Sequence, residues 1–334
     1  MAIRSQGHST SPYDSVMSNT GKNASAVDYD PPIPPIITYG DRGLFYAGSQ
    51  WAPGWGNSQV IDYINLSSTG NATNFGEPTQ AGSQCAGTSN TSRGIFTRSN
   101  YIDYVTIANT GNAQDFGDLT NGIDTPTAFA GDTNSDRGII CQNDTSSNQS
   151  IQTVTISTTG NSSNFGTMTT SKNSAGGASN GFRGIIARST TFPALSSNDM
   201  IYMTIATGGS TSNFGELTFA RYALGGASSS PAVDRAIFAG GRDNVSSAAN
   251  SYQNIMDYVT FGTTGNATDF GNLGSDVAYG RGTNNASKSV FGCFASDGQA
   301  RDVIEYVNPA NTGNATDFGN LTQARAVAAA CSGD

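Results

Sequence analysis

The sequence predicts an all-β fold made of six copies of one small four-stranded sheet. Two observations carry this. A single phrase recurs six times at an unvarying internal spacing, and short alternating apolar runs are punctuated by Gly, Asn, Asp, Ser and Thr. Composition removes the competing classes. Of 334 residues only 12% are charged, and glycine alone contributes 41, which suits neither a helical bundle nor a coiled coil. The net charge of -9 argues against non-specific nucleic-acid binding, which needs a basic surface. No apolar run approaches a membrane span, and no basic-then-apolar leader opens the chain. With 16 Phe and 13 Tyr, the chain has too much to bury for a disordered polymer.

Residues 1–38 lack the repeat. They are rich in Ser, Asn, Thr and Gly and end in Asp30-Pro31-Pro32-Ile33-Pro34-Pro35-Ile36-Ile37. Prolines hold such a segment extended and stiff. It has no core of its own, so it is expected to act as a docking arm against a neighbouring subunit.

The repeat begins after the arm. Its first phrase is Arg42-Gly43-Leu44-Phe45, echoed by Arg93-Gly94-Ile95-Phe96, Arg137-Gly138-Ile139-Ile140, Arg183-Gly184-Ile185-Ile186 and Arg235-Ala236-Ile237-Phe238. The sixth copy is Lys288-Ser289-Val290-Phe291. Each reads as a buried strand. The next strand is typified by Ile61-Asp62-Tyr63-Ile64-Asn65-Leu66, whose period of two sends Ile, Tyr and Asn to one face and Asp, Ile and Leu to the other.

Then comes the most regular phrase, T-G-N-A-T-D-F-G or a close variant. Its aromatic is Phe75, Phe116, Phe165, Phe214, Phe270 and Phe318, each followed by glycine. Twelve residues before each stand Tyr63, Tyr104, Thr153, Tyr202, Tyr258 and Tyr306. A constant offset marks one rigid unit, copied. From Gly76 to Gly319 five intervals cover 243 residues, a mean of about 49. The remaining strand, which precedes R-G-I-F and so comes first in the blade, is made of small residues, as in Ala223-Leu224-Gly225-Gly226-Ala227-Ser228.

Four strands per unit at this period are the mark of a kelch-type blade, so the expected fold is a six-bladed kelch-like β-propeller over residues 39–334. The order of phrases sets its closure. The chain enters the repeat on a second strand near Arg42 and its last phrase, Ala326 to Ser332, is a first strand with no R-G-I-F after it. The C-terminal strand is therefore expected to pair with the first blade and hide both edges. The predicted order from the axis outward is small-residue strand, R-G-I-F strand, I-D-Y strand, D-F-G strand.

The succession R-x-x-L-x-G-x-S, R-G-I-F-x-G-G, I-D-Y-V-T-I and T-G-N-A-T-D-F-G-x-L-T over residues 40–334 resembles kelch-like propellers of virion proteins in tailed bacteriophages, especially marine and cyanobacterial ones. The chain departs from cellular kelch repeats in having one well-placed glycine pair, Gly240-Gly241, and no repeated Trp. The resemblance implies a structural virion protein of the tail, a fibre or a surface appendage, with the virion as its location after assembly in the host cytoplasm. The arm would meet other virion proteins and the propeller a subunit or a host surface glycan or protein. A capsid decoration protein and a glycan-acting propeller enzyme are the alternatives.

Candidate sites follow from the repeat and from its exceptions. Arg42, Arg93, Arg137, Arg183, Arg235 and Lys288 would form a ring of cations about the axis. It would either receive an anion or pair with loop carbonyls and with local acids such as Asp41, Asp136 and Asp234. The Asn/Asp turns offer oxygens to calcium, but turn chemistry explains them, with Phe plugging between blades. The connection between second and third strands varies most in length, and variable loops are where repeat folds build binding faces. Its unusual residues are Trp51, Trp55, Phe192, Arg242 and Tyr252. No catalytic residue, metal or cofactor is expected. His8 is the only histidine, and Glu77, Glu216 and Glu305 are the only glutamates. Cys85 and Cys331 are expected on inner strands and Cys141 and Cys293 on second strands, as buried free thiols.

Overall fold

A computed structural model describes residues 40–51, 56–123, 127–130, 136–141, 149–169, 175–187, 197–230, 233–243 and 252–333. The expected arm, residues 1–38, lies outside the described residues. The described residues fall within one unit, Pro34–Asp334, and form a six-bladed β-propeller.

Blade 1 is ordered, from the axis outward, Ala329–Gly333, Arg42–Tyr46, Ile61–Asn65 and Thr73–Gly76. Its innermost strand is the C-terminal one. Arg42 to Tyr46 pair antiparallel with Gly333 to Ala329, so the last strand closes the first blade. Blades 3 to 6 repeat the order with inner strands Thr127–Ala130, Gly176–Ser179, Gly225–Ser228 and Arg281–Asn284. In blade 2 the second and third strands run on as a single stretch, Arg93–Thr106, between Ala86–Ser89 and Gln114–Ile123. Its first half pairs with the inner strand and its second half with the outer one, because the chain doubles back near Ser99, whose φ is +52°. This is the shortest of the six connections, and it leaves no room for a loop.

The alternation read from the third strand is realised in packing. Ile61 and Tyr63 join a cluster with Phe96, Val105 and Ile107 of blade 2. Ile64 and Leu66 point the other way, into a cluster with Val290, Ile304 and Phe318 of blade 6. Each of the six junctions holds one such apolar cluster. The core is therefore a ring of six seams, and burial of each seam's apolar surface is what drives the blades together.

The D-F-G phrase is a β-bulge placed identically in every blade. Ile61 pairs with Gly76 but Asp62 with Asn74, so Phe75 is the extra residue. The same slip isolates Phe116, Phe165, Phe214, Phe270 and Phe318. A bulge re-aims a side chain, and here it turns each aromatic into the seam. The glycine that follows takes φ of +147°, +155°, +139° and +145° at Gly117, Gly215, Gly271 and Gly319, a region that favours glycine.

Candidate binding surface

At one end of the strands the six cations form a ring, as their spacing predicts. Arg42 Nη1 donates to the carbonyls of Ile107 and Ala108, 2.7 and 2.8 Å away in the turn of blade 2. Arg93 reaches Ser157 in blade 3 at 2.8 Å, Arg137 reaches Ile205 at 3.1 Å, and Arg183 reaches Phe261 at 2.5 Å. Arg235 donates to Pro309 at 2.8 Å, and Lys288 closes the circle on Leu66 of blade 1 at 2.8 Å. Each cation also lies over the aromatic of its own blade, Arg235 4.4 Å from the Tyr258 centroid and Lys288 5.7 Å from that of Tyr306. In blade 3, where Thr153 replaces the tyrosine, Arg137 uses Phe165 instead, at 5.2 Å. Of the two readings of this ring, the observed partners are the loop carbonyls.

The neighbouring aspartates do a different job. Asp136 accepts from the Ser157 turn of its own blade and from Asn90 of the blade before. Asp234 likewise accepts from Gly262 and Asn180, and Asp41 from Asn285. The hydrogen bonds from Ser67 and Asn285 hold the Asp41 carboxyl below its ordinary value. Asn-to-Asp latches thus join blade 2 to 3, blade 4 to 5 and blade 6 to 1. The junction between the two ends of the chain obeys the same rule as two continuous ones.

The outer rim explains the T-G-N-A half of the phrase. The Gly111 amide donates to the Phe75 carbonyl, the Glu77 amide to the Asn112 side-chain oxygen, and the Ala113 amide to the Glu77 carbonyl. Equivalent bonds lead from Gly70, Gly160, Gly265 and Gly313 to the phenylalanine of the preceding blade. The oxygens of Asn71, Asn161, Asn266 and Asn314 are taken by the preceding blade's amides. These oxygens, the candidate calcium ligands, serve as inter-blade acceptors.

On the opposite face, where the second-to-third-strand loops and blade connectors lie, the described residues show no such symmetry. Arg242 lies 4.9 Å from the Tyr252 ring centroid, 5.8 Å from Tyr279 and 5.9 Å from Tyr222. Its Nη1 donates to the Tyr279 hydroxyl at 2.9 Å, while its Nε is buried without a hydrogen-bond partner. Trp51 meets Tyr279 edge-on at 5.0 Å and 66° and packs on Ala295, Ala326 and Val327. Backbone bridges from Arg242 to both Tyr222 and Tyr252 fix the arrangement. Three of the five expected binding residues, Trp51, Arg242 and Tyr252, are thereby gathered over blades 5, 6 and 1. Trp55 and Phe192 lie outside the described residues.

Sequence reasoning missed Tyr222 and Tyr279. Tyr279 shares a left-handed φ, +63°, with Gln84, Ala223 and Val327 at matching positions of the connectors. Aligning the connectors exposes it as the one aromatic there. Beneath this face lie two fully buried ion pairs, Arg221–Asp257 at 2.9 Å and Arg325–Asp62 at 2.8 Å. Each carboxylate also binds a threonine from the preceding blade, Thr218 and Thr322. In blade 2 the arginine's place is Gly82, and the Tyr46 hydroxyl donates to Asp103 instead. Gln152 and Glu305 take the aspartate's place in blades 3 and 6, and burial raises the Glu305 carboxyl above its ordinary value.

All four cysteines are free and buried. Cys331 and Cys141 sit on the expected strands. Cys85 falls one residue before the inner strand of blade 2 and Cys293 one residue after Ser289–Gly292. Cys293 instead takes φ of +59°, the conformation of Ala47 and Gly240 at equivalent positions. The Gly-Gly position of the repeat is thus kept in shape where the glycine is absent. No family model and no curated protein matches this chain.

Proposed function

We propose that this chain is a structural and recognition component of a tailed-phage particle, whose propeller offers its loop face to a host surface or a neighbouring subunit. Residues 1–38 serve as the docking arm in this reading, and the protein is not an enzyme. The virion assignment is supported by the resemblance of the repeat phrases. The recognition role is supported by one observation: among the described residues, the aromatic and cationic cluster of Trp51, Tyr222, Arg242, Tyr252 and Tyr279 breaks the symmetry of the fold on the loop face. Aromatic and arginine side chains dominate binding hot spots, because they give large contact area at low entropic cost.

Mass spectrometry of purified particles checks the first part, and absence of the chain from intact virions refutes it. For the second, a Trp51→Ala/Arg242→Ala double variant is expected to fold and to lose host-cell or particle binding by tenfold or more. Binding at the wild-type level would remove the cluster from the recognition role.

A further inference from the structure

Burying a charge without a counter-charge is costly. Arg221 and Arg325 are fully buried and each meets an aspartate. Arg281 is half-buried, and its described partners are backbone carbonyls alone. It opens the inner strand of blade 6 at the loop-face end, paired with Gly292. Its side chain passes blade 1 to reach blade 2, where Nε and Nη2 share the Cys85 carbonyl, each at 3.3 Å. Nη1 donates to the Gly280 carbonyl at 2.8 Å. Of five guanidinium N–H groups, one on Nη1 and one on Nη2 are left over.

Among the described residues no carboxylate pairs with this charge. Cys85 and Cys293 are its electrostatic neighbours, and burial holds both protonated, pushed up to about 12 and about 11. Desolvation lowers the guanidinium's own affinity for its proton, yet an arginine stays charged at neutral pH. The backbone around it is tightly set. Gln84, Tyr279 and Val327 hold left-handed φ values of +58°, +63° and +56°. The Tyr279 amide donates to Ala223, the Val327 amide to Tyr279 and the Cys85 amide to Val327, a ladder running from blade 5 through 6 and 1 to 2. Strained backbone of this kind persists where neighbouring structure enforces it and gathers at ligand sites.

We propose that Arg281 is the seat of an oxyanion-binding site at the loop-face end of the inner strands, taking the carboxylate or sulfate group of an acidic saccharide or the free anion. The two spare N–H groups match the two oxygens of such a group. This site stands whether or not the chain belongs to a virion.

The test is titration calorimetry and thermal melting with sodium glucuronate, sodium sulfate and, as neutral control, glucose, at ionic strength matched with sodium chloride. Wild-type protein is expected to bind glucuronate or sulfate and melt higher, with glucose inert. Arg281→Met is expected to weaken binding at least about tenfold. Arg281→Lys, which keeps the charge but loses the fork, is expected to fall between and serves if the Met variant does not fold. Glucuronate alone binding points to a saccharide, and both binding alike points to the free anion. No anion binding by the wild type, or equal binding by all three proteins, overturns the proposal.

Discussion

The two faces of the propeller use the same residue types for opposite ends. On the face where the six cations clasp the next blade, each does what its five counterparts do. It lies on a ring of its own blade and holds the carbonyls of the next. On the loop face Arg242 is surrounded by Tyr222, Tyr252 and Tyr279, and Arg281 crosses from one blade to another, contacts with no equivalent among the described residues. A contact made six times around a closed ring holds the ring. A contact made once, in loops of unequal length, is free to serve recognition.

The contrast predicts that damage to the repeated contacts reads out in stability and damage to the unique ones in binding. Removal of residues 329–334 deletes the innermost strand of blade 1 and exposes the edges it covers. The expected result is loss of the cooperative thermal transition, followed by circular dichroism. A truncated chain that still melts cooperatively would show that closure is not what the repeated layer supplies.

Next in size is Asp62→Ala, which strands Arg325 in a fully buried setting. Leaving a buried charge without its partner costs about 3–5 kcal/mol, measurable by urea denaturation. The double variant Asp62→Leu/Arg325→Met is expected to recover much of that loss.

The two glycines of the repeat phrase sharpen the contrast further. A Cβ at Gly319 would press into the Gly70 carbonyl of blade 1, whereas at Gly313 it meets nothing within 4 Å. Gly319→Ala is expected to cost about 1–3 kcal/mol and Gly313→Ala far less by the same measurement.

The smallest effect is a gain. Lys288 is the one non-arginine in the clasp ring and sits farthest from its aromatic. Lys288→Arg is expected to stabilise by about 0.5 kcal/mol, since a planar guanidinium stacks and forks where an ammonium cannot. A thermal melt that moves down would break the equivalence of the six clasps.

Much of this architecture is legible in one dimension. The fixed twelve-residue offset between Tyr63 and Phe75 and its copies reports a third strand, a turn and a bulged outer strand of constant geometry. The rings meet edge-on at 5.8 Å in blades 4, 5 and 6 alike. The chain's entry on a second strand and its last phrase being a first one already implied that the C-terminal strand pairs with the first blade, as it does in the register Arg42 with Gly333. The reason is that strand period, turn residues and repeat length are local properties, and six copies average away the exceptions.

What the sequence could not disclose is which blade a side chain reaches. Arg42 looks like a partner for Asp41 in the chain but donates to Ile107 and Ala108, some 65 residues on. The Tyr222, Arg242, Tyr252 and Tyr279 cluster spans two blades and joins connectors with loops of different phrase and length. Arg281 is one arginine among many until folding places it beside neutral thiols, with no ion pair to an acid among the described residues. Composition and periodicity determine that six sheets form and that the last strand seals the first. Which charges end up satisfied depends on distances between segments remote in the chain, and only the closed ring sets those distances.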